Sequence, residues 1–372
     1  MLVRALRLTN LRAHRHLEVE LEPGLNVLVG PNGAGKPTVL EAANLVLCGS
    51  MLRPGTVRDL MTKGQDFLRV EARLEDAGAA VTAAVAMTRE GERKATADGA
   101  TLEDFSRWEA AAPVRSFVPD DLRLIKGSPR RRREHLDLLC SRWQPDYRGV
   151  LRKYDEALGQ RNALLRSARS GEAADHFAPW EAILAEAGLA VVSRRSAALA
   201  SFVGAFQQTY GLLAGDRADS IRLIYRTNVA DMDEAAYRAR LASSRAADQQ
   251  RTFTHLGPHR DDLRFVRREL DMRDCASQGE QRAALLALVL AEWAYLFAPS
   301  QKPLLLLDDV MSELDENRRR ALVGLLRQGG QTVVTTTDLR YFSEAELADA
   351  HIVDLPAVDS PNGVGTAIVP GP

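Results

Sequence analysis

Gly30-Pro31-Asn32-Gly33-Ala34-Gly35-Lys36 is the segment that most narrows what this chain can fold into. It follows Leu25-Asn26-Val27-Leu28-Val29, which reads as a buried strand, and it precedes a stretch from about Lys36 to Leu47 with helical spacing. Strand, glycine-rich turn and helix in that order are the context a phosphate-binding loop needs. The glycines let successive backbone N–H groups turn inward on phosphate oxygens, and the helix N-terminus adds partial positive charge. The ε-ammonium of Lys36 would reach the β- and γ-phosphates. An ordinary glycine-rich turn is the plainer alternative, and the strand–helix context argues against it.

The loop is irregular at its end. A Ser or Thr, whose hydroxyl ligates Mg²⁺, is expected after the lysine, but the residue is Pro37. Proline has neither hydroxyl nor N–H, and it disfavours the helical region for Lys36 before it. Thr38 offers a hydroxyl one residue out of register. A lost charge-assisted hydrogen bond is worth about 1.5–3 kcal/mol, so weak ATP binding is expected.

Three further motifs follow. Leu304-Leu305-Leu306-Leu307 reads as a strand buried on both faces, and Asp308-Asp309 stands at its carboxyl end, where α/β sheets bind ligands. Asp308 would hold Mg²⁺ and Asp309 would orient or deprotonate an attacking water; a strand-end turn is the alternative. Ala276-Ser277-Gln278-Gly279-Glu280-Gln281 leads into a helix and offers a second anion site, through the Ser277 hydroxyl, the Gly279 N–H and the helix N-terminus. A capping box between Ser277 and Glu280 competes with that role. Ser312-Glu313-Leu314-Asp315 comes just after the acidic pair, and Asp315 can equally be a helix cap.

Around these motifs the chain alternates between two characters. Strands are predicted at Leu2 to Leu8, Leu17 to Leu21, Phe67 to Leu74 and Ala79 to Thr88, the last pair turning at Asp76-Ala77-Gly78. From Pro129 to about Gln250 the sequence is rich in Arg, Ala, Leu and Glu with helical spacing. Tyr147 to Ser170 and Phe177 to Tyr210 read as a short antiparallel helix pair joined by Ser170-Gly171-Glu172. A strand signal returns at Ile221 to Arg226. Beyond it come helices at about Glu280 to Phe297 and Glu316 to Arg327, and strands at Leu304 to Leu307 and Thr332 to Thr336. The expected fold class is α/β: a P-loop ATPase head lobe in two parts, residues 1–115 and 251–372, interrupted by a mostly helical lobe at 116–250. The tail from Pro356 to Pro372 reads as loop.

Lys36, Ser277, Asp308-Asp309 and Asp315 stand in the order of ABC-type ATPases, and the resemblance implies that the signature around Ser277 in one subunit presses on the ATP of another. Two departures point to slow hydrolysis. That class usually carries Glu at the position of Asp309, and it has a switch His after the last core strand, where this chain reads Thr335-Thr336-Thr337-Asp338. The Q-loop region is represented only by Gln65 or by Phe117-Val118-Pro119-Asp120-Asp121.

About 240 residues separate Lys36 from Ser277, too many for a transporter subunit and too few for a chromosome-maintenance protein with long coiled coils. That interval resembles the RecF family of bacterial DNA repair proteins. So do Leu8-Thr9-Asn10-Leu11-Arg12, the stretch Gly127-Ser128-Pro129-Arg130-Arg131-Arg132-Arg133-Glu134-His135-Leu136-Asp137, and Leu256-Gly257-Pro258-His259-Arg260-Asp261-Asp262-Leu263. The resemblance implies an SMC-like head with ATP and Mg²⁺ as cofactors and an ATP-dependent homodimer. It also implies binding of double-stranded DNA and single/double-strand junctions near gaps, cooperation with RecR (and RecO), and help in loading RecA on single strands. By the same resemblance Arg12 would touch nucleotide; a strand-end surface arginine is the alternative. For His259 and Arg260, an ion-pair corner with Asp261 and Asp262 competes with an active-site role.

Charge gives independent but modest support. The net charge of −1 demands no nucleic acid, yet Ala112 to Ser170 holds 14 Lys or Arg against 7 Asp or Glu. Arg130, Arg131, Arg132, Arg133, Arg152 and Lys153 are the candidate phosphate contacts; solvated or ion-paired helix faces are the alternative. Aromatics at 6% make stacking on single-stranded bases a poor main mode. Three scattered cysteines fit a reducing compartment, and no signal-peptide or membrane-spanning pattern is seen, so a cytoplasmic protein is expected. The competing functions are a transporter-type ATPase subunit and a DNA-binding scaffold that no longer hydrolyses ATP, the latter suggested by Pro37 and the missing switch His.

Overall fold

Strict alternation in Phe67–Asp76 buries Leu68, Val70, Ala72 and Leu74 and exposes or half-exposes the residues between them. That is how a strand with one wet face must read. The computed structural model describes residues 1–53, 55–102, 113–144, 146–167, 176–215, 220–295, 303–355 and 365–367. Its strands are β1 (Leu2–Leu11), β2 (His14–Glu20), β3 (Leu25–Val29), β4 (Phe67–Asp76), β5 (Ala79–Thr88), β6 (Arg93–Ala97), β7 (Ala100–Thr101), β8 (Val114–Phe117), β9 (Ile221–Arg226), β10 (Asp262–Arg267), β11 (Leu270–Asp271), β12 (Leu304–Leu307), β13 (Thr332–Thr336), β14 (His351–Asp354) and β15 (Gly365–Ala367). The chain divides into two compact units, one of residues 1–121, 212–216 and 282–372, the other of 122–211 and 217–281.

The first unit contains two sheets. One has the order β15-β2-β1-β4-β5-β6-β7, the other β14-β3-β13-β12-β8. Every pairing in the second is parallel. Its β12 and β13 are buried at every position, as a sheet covered on both faces requires. Helix Lys36–Cys48 shares the core with both sheets, and all of its residues except Pro37 are buried. Gln331 also ties the sheets together: its side-chain amide bonds the Val3 backbone in both directions and the Glu22 carbonyl. The β4–β5 hairpin turns on Ala77 and Gly78, both at positive φ (49° and 85°), as a tight hairpin turn demands.

The second unit carries the helix pair Tyr147–Ser167 and Ala178–Ala214. Ion pairs Asp146–Arg194, Lys153–Glu186 and Arg161–Glu181 step up one chain as they step down the other, so the two run antiparallel. The predicted turn at Ser170-Gly171-Glu172 lies outside the described residues. Ala178–Ala214 is, among the described residues, the one helix long and apolar enough to cross a membrane. Its charged residues, however, pair with the neighbouring helices.

The expected lobe boundaries shift. The cut at 115 falls inside β8, which pairs with β12 and so belongs to the ATPase sheet. The cut at 250 comes too early, because β10 pairs with β9 along its length and draws residues up to 281 into the second unit. Three residues of the tail read as loop form β15 alongside β2. Strands β6, β7, β8, β10, β11 and β14 carry no clear periodicity and escape the pattern.

Candidate nucleotide site

The parallel register of β3, β13 and β12 brings three carboxyl ends side by side, with Val29 beside Thr336 and Val334 beside Leu307. The loop after β3 therefore meets the acidic pair after β12. Gly33 and Gly35 both stand at positive φ (88° and 79°), the glycine-favouring backbone that a phosphate-cradling turn uses. Gly30 is forced by space: a Cβ there would lie 2.5 Å from the Leu355 carbonyl oxygen. A Cβ on Gly35 would strike the His14 imidazole.

Lys36 is the first helical residue, with Gly35 as N-cap. Pro37 does not displace it from the helix, against the expectation from proline sterics alone. The first-turn N–H groups of a helix have no acceptor within it, so proline is tolerated there. The Lys36 ammonium donates to the carbonyls of Gly30 (2.6 Å) and Pro31 (2.9 Å). Burial lowers its pKa, and the charges of Asp309 and Asp308 oppose that shift. The lysine is thus bonded to the P-loop carbonyls, within electrostatic reach of the acidic pair.

Asp308 is only 4% exposed. Its Oδ1 accepts from Thr335 Oγ1 (2.9 Å), and its Oδ2 accepts from Arg53. Thr335 also accepts from the Asp309 N–H (2.9 Å), so one hydroxyl orients both acids. Asp309 is held at φ 48°, a left-handed conformation that Asp tolerates better than most residues. Its Oδ2 accepts from Ser312 Oγ at 3.0 Å, while its buried Oδ1 has no partner among the described residues. Such an oxygen has an unmet acceptor site that a rearrangement of the loop would have to open before water could reach it. The donor set fits a nucleotide phosphate. For Mg²⁺ it offers Asp308; Thr38 is buried, and Pro37 has no hydroxyl to give.

Other candidates take structural positions. Arg12, at φ 51°, reaches Glu41 Oε2 at 3.5 Å. Asp315 caps helix Glu316–Leu326 by accepting from the Arg318 N–H at 3.0 Å. Ser277 and Glu280 form the capping box: the Ser277 N–H donates to Glu280 Oε2 (2.8 Å), and Ser277 Oγ accepts from the Glu280 N–H (3.3 Å). Ser277, Gln278, Gly279 and Glu280 lie in the second unit and the P-loop in the first. Ser277 and Gln278 are exposed.

The basic candidates separate sharply. Arg132 is 1% exposed, paired with Asp262 at 2.7 Å and bonded to the carbonyls of Leu124, Ile125 and Gly127, so it is no phosphate contact. Arg133 is half-buried and donates to the Asp261 carbonyl (2.8 Å). Arg130 and Lys153 are exposed but paired with Glu134 and Glu186; Arg131 is half-buried and Arg152 exposed. The corner at Gly257–Asp262 is structural. His259 Nε2 faces the Thr254 carbonyl (2.8 Å), which makes it the protonated nitrogen, so Nδ1 accepts from the Tyr154 hydroxyl (2.6 Å). Burial pushes the His259 pKa down to about 4.

Arg53, Thr335, His14 and Glu41 were missed by sequence reasoning. Only Glu41 carried a signal, as a lone charge in an apolar helix that had to find a partner.

The chain is similar to known proteins along nearly its whole length. The family model described as the RecF/RecN/SMC N-terminal domain matches residues 2–353. The DNA replication and repair protein RecF of Heliobacterium modesticaldum is 35% identical over 365 residues, covering 96% of this chain and 98% of that protein. The RecF of Moorella thermoacetica is also 35% identical, covering 94% of each. A structure of the recombination mediator protein RecF with ATP, in the RecFOR pathway, superposes with a TM-score of 0.79 at 27% identity, over 92% of this chain and 93% of that one. An SMC head with TM-score 0.57 at 15% identity shares the fold. Matched over residues 2–353 by the family model and at 35% identity by its relatives, the chain belongs to the RecF family of DNA replication and repair proteins, ATP-binding ATPases of the ABC type.

Proposed function

We propose that the chain is a slow, DNA-stimulated ATPase that dimerises on ATP, binds double-stranded DNA near gaps and junctions, and acts with RecR and RecO to help load RecA on single strands. The observation that carries the nucleotide part is the Lys36 ammonium held on the P-loop carbonyls, within electrostatic reach of Asp308 and Asp309. Lys36 and the loop would hold the β- and γ-phosphates, and Asp309 would orient the attacking water. Mg²⁺, held by Asp308 through water, would supply charge neutralisation on the phosphates. Exposure of Ser277 supports a composite site in which its helix N-terminus meets the γ-phosphate of a second copy. A non-hydrolysing scaffold is the second reading, favoured by Pro37 and by the missing switch His after β13.

Light scattering with and without Mg-ATP and a duplex tests the first reading. A monomer that becomes a dimer only with ATP supports it, and Ser277→Arg should then bind ATP as a monomer. Normal ATP-driven dimerisation of Ser277→Arg would sink the composite site. Lys36→Met should abolish nucleotide binding.

A further inference from the structure

Arg53 belongs to none of the motifs, yet its guanidinium donates to Asp308 Oδ2. With Thr335 on Oδ1, both oxygens of the carboxylate that would serve a divalent cation are engaged. The pair is shielded unequally: the Asp308 side chain is 5% exposed and that of Arg53 35%. A buried carboxylate without a cation is costly, and Lys36 is turned to the P-loop carbonyls. The segment carrying Arg53 is pinned. Helix Lys36–Cys48 ends on Gly49 at φ 65°, Asn44 Nδ2 donates to the Ser50 carbonyl (2.7 Å), and the Leu52 N–H donates to Glu41 Oε1 (2.8 Å). Thr56 and Asp59 close a capping box on the other side. The arginine is therefore presented to Asp308 by a braced loop. Pro37 sharpens the consequence: without a hydroxyl at that position, a cation depends more heavily on the carboxylate that Arg53 holds.

We propose that Arg53 is a resident counter-ion of Asp308 that competes with the divalent cation. It lets the site accept nucleotide without metal, and metal entry must displace it. This rests on the nucleotide reading above.

Titration of a fluorescent ATP analogue, in EDTA and across a range of Mg²⁺ concentrations, tests the proposal on the full chain, Arg53→Met, Asp308→Asn and the double variant. In EDTA, Arg53→Met should bind the analogue roughly tenfold more weakly, because Asp308 then repels the phosphates. It should also need about tenfold less Mg²⁺ for half-maximal binding, the scale of one charge-assisted hydrogen bond. In the Asp308→Asn background neither change should appear. Arg53→Lys, which keeps the charge and loses the planar fork, should fall between the two. Unchanged metal dependence in Arg53→Met overturns the proposal. So does an equal loss in both backgrounds, which would put Arg53 directly on the nucleotide. If the unaltered chain binds no analogue at any Mg²⁺ concentration, the nucleotide reading itself fails, and this inference with it.

Discussion

Position 37 shows how much one side chain can change while the backbone around it stays. Gly35 at φ 79° sets the start of the helix, and Pro37 fits its first turn. What the proline removes is a hydroxyl and an N–H at the phosphate, which is a matter of ligand binding and not of fold. Pro37→Thr should therefore leave the melting temperature nearly unchanged and tighten Mg-ATP binding by about 10- to 100-fold, the worth of a charged hydrogen bond of roughly 1.5–3 kcal/mol. Equal affinities by calorimetry would mean that Thr38 or water already serves the metal. The proline was legible in the sequence because the motif has fixed spacing. Thr335 was not, because its partners Asp308 and Asp309 follow the neighbouring strand and only the parallel register brings them together.

Among the elements, the arginine-rich helices carry the clearest lesson. Composition makes Arg130 to Arg133 one basic run, but a helix turns about 100° per residue and sends each side chain to a different environment. Arg132 and Arg133 face the fold, while Arg130 is exposed. Arg161 is fully buried, between Glu181 (3.2 Å) and Asp248 (2.7 Å) and bonded to Thr254 and the Leu241 carbonyl. Arg161→Met leaves two buried carboxylates short of a cation and should cost about 3–5 kcal/mol by denaturant unfolding. A loss under about 1 kcal/mol would show that Arg245, which also pairs with Glu181, suffices. For DNA, alanine at Arg130, Arg131 and Arg152 together should weaken duplex binding and flatten its salt dependence by about 0.9 for each phosphate no longer neutralised. An unchanged slope would move the DNA surface elsewhere.

Considered as a whole molecule, stability depends on a corner that looks catalytic in the sequence. At φ 128°, Gly257 has no room for a Cβ, which would meet the hydroxyls of Tyr237 (2.3 Å) and Tyr154 (2.4 Å). His259 next to it is neutral and its pKa is held down to about 4 by burial. A histidine with a depressed folded pKa stabilises the native state above its unfolded pKa of about 6.5, and that contribution is lost as pH falls toward 4. The chain should lose up to about 3 kcal/mol across that window through this residue, while the buried Asp261, whose pKa is raised, acts in the opposite sense. His259→Gln should be less stable at neutral pH but show a shallower decline through the same window. Parallel profiles would remove His259 from the corner's pH response.

By itself the sequence determined the P-loop, the acidic pair, the capped helix start at Ser277, their order, and the strands and helices that carry them. Each of these is local: spacing along the chain sets which backbone groups and side chains present themselves together. The bounds of the units, the burial of Arg132, Arg161 and Arg195, and the grip of Arg53 and Thr335 on Asp308 were decided only by tertiary structure. A charge reads the same in a sequence whether it meets solvent or a carboxylate, and partners such as Arg53 and Asp308 stand far apart along the chain, joined only through the packing of the two sheets and the buried helix.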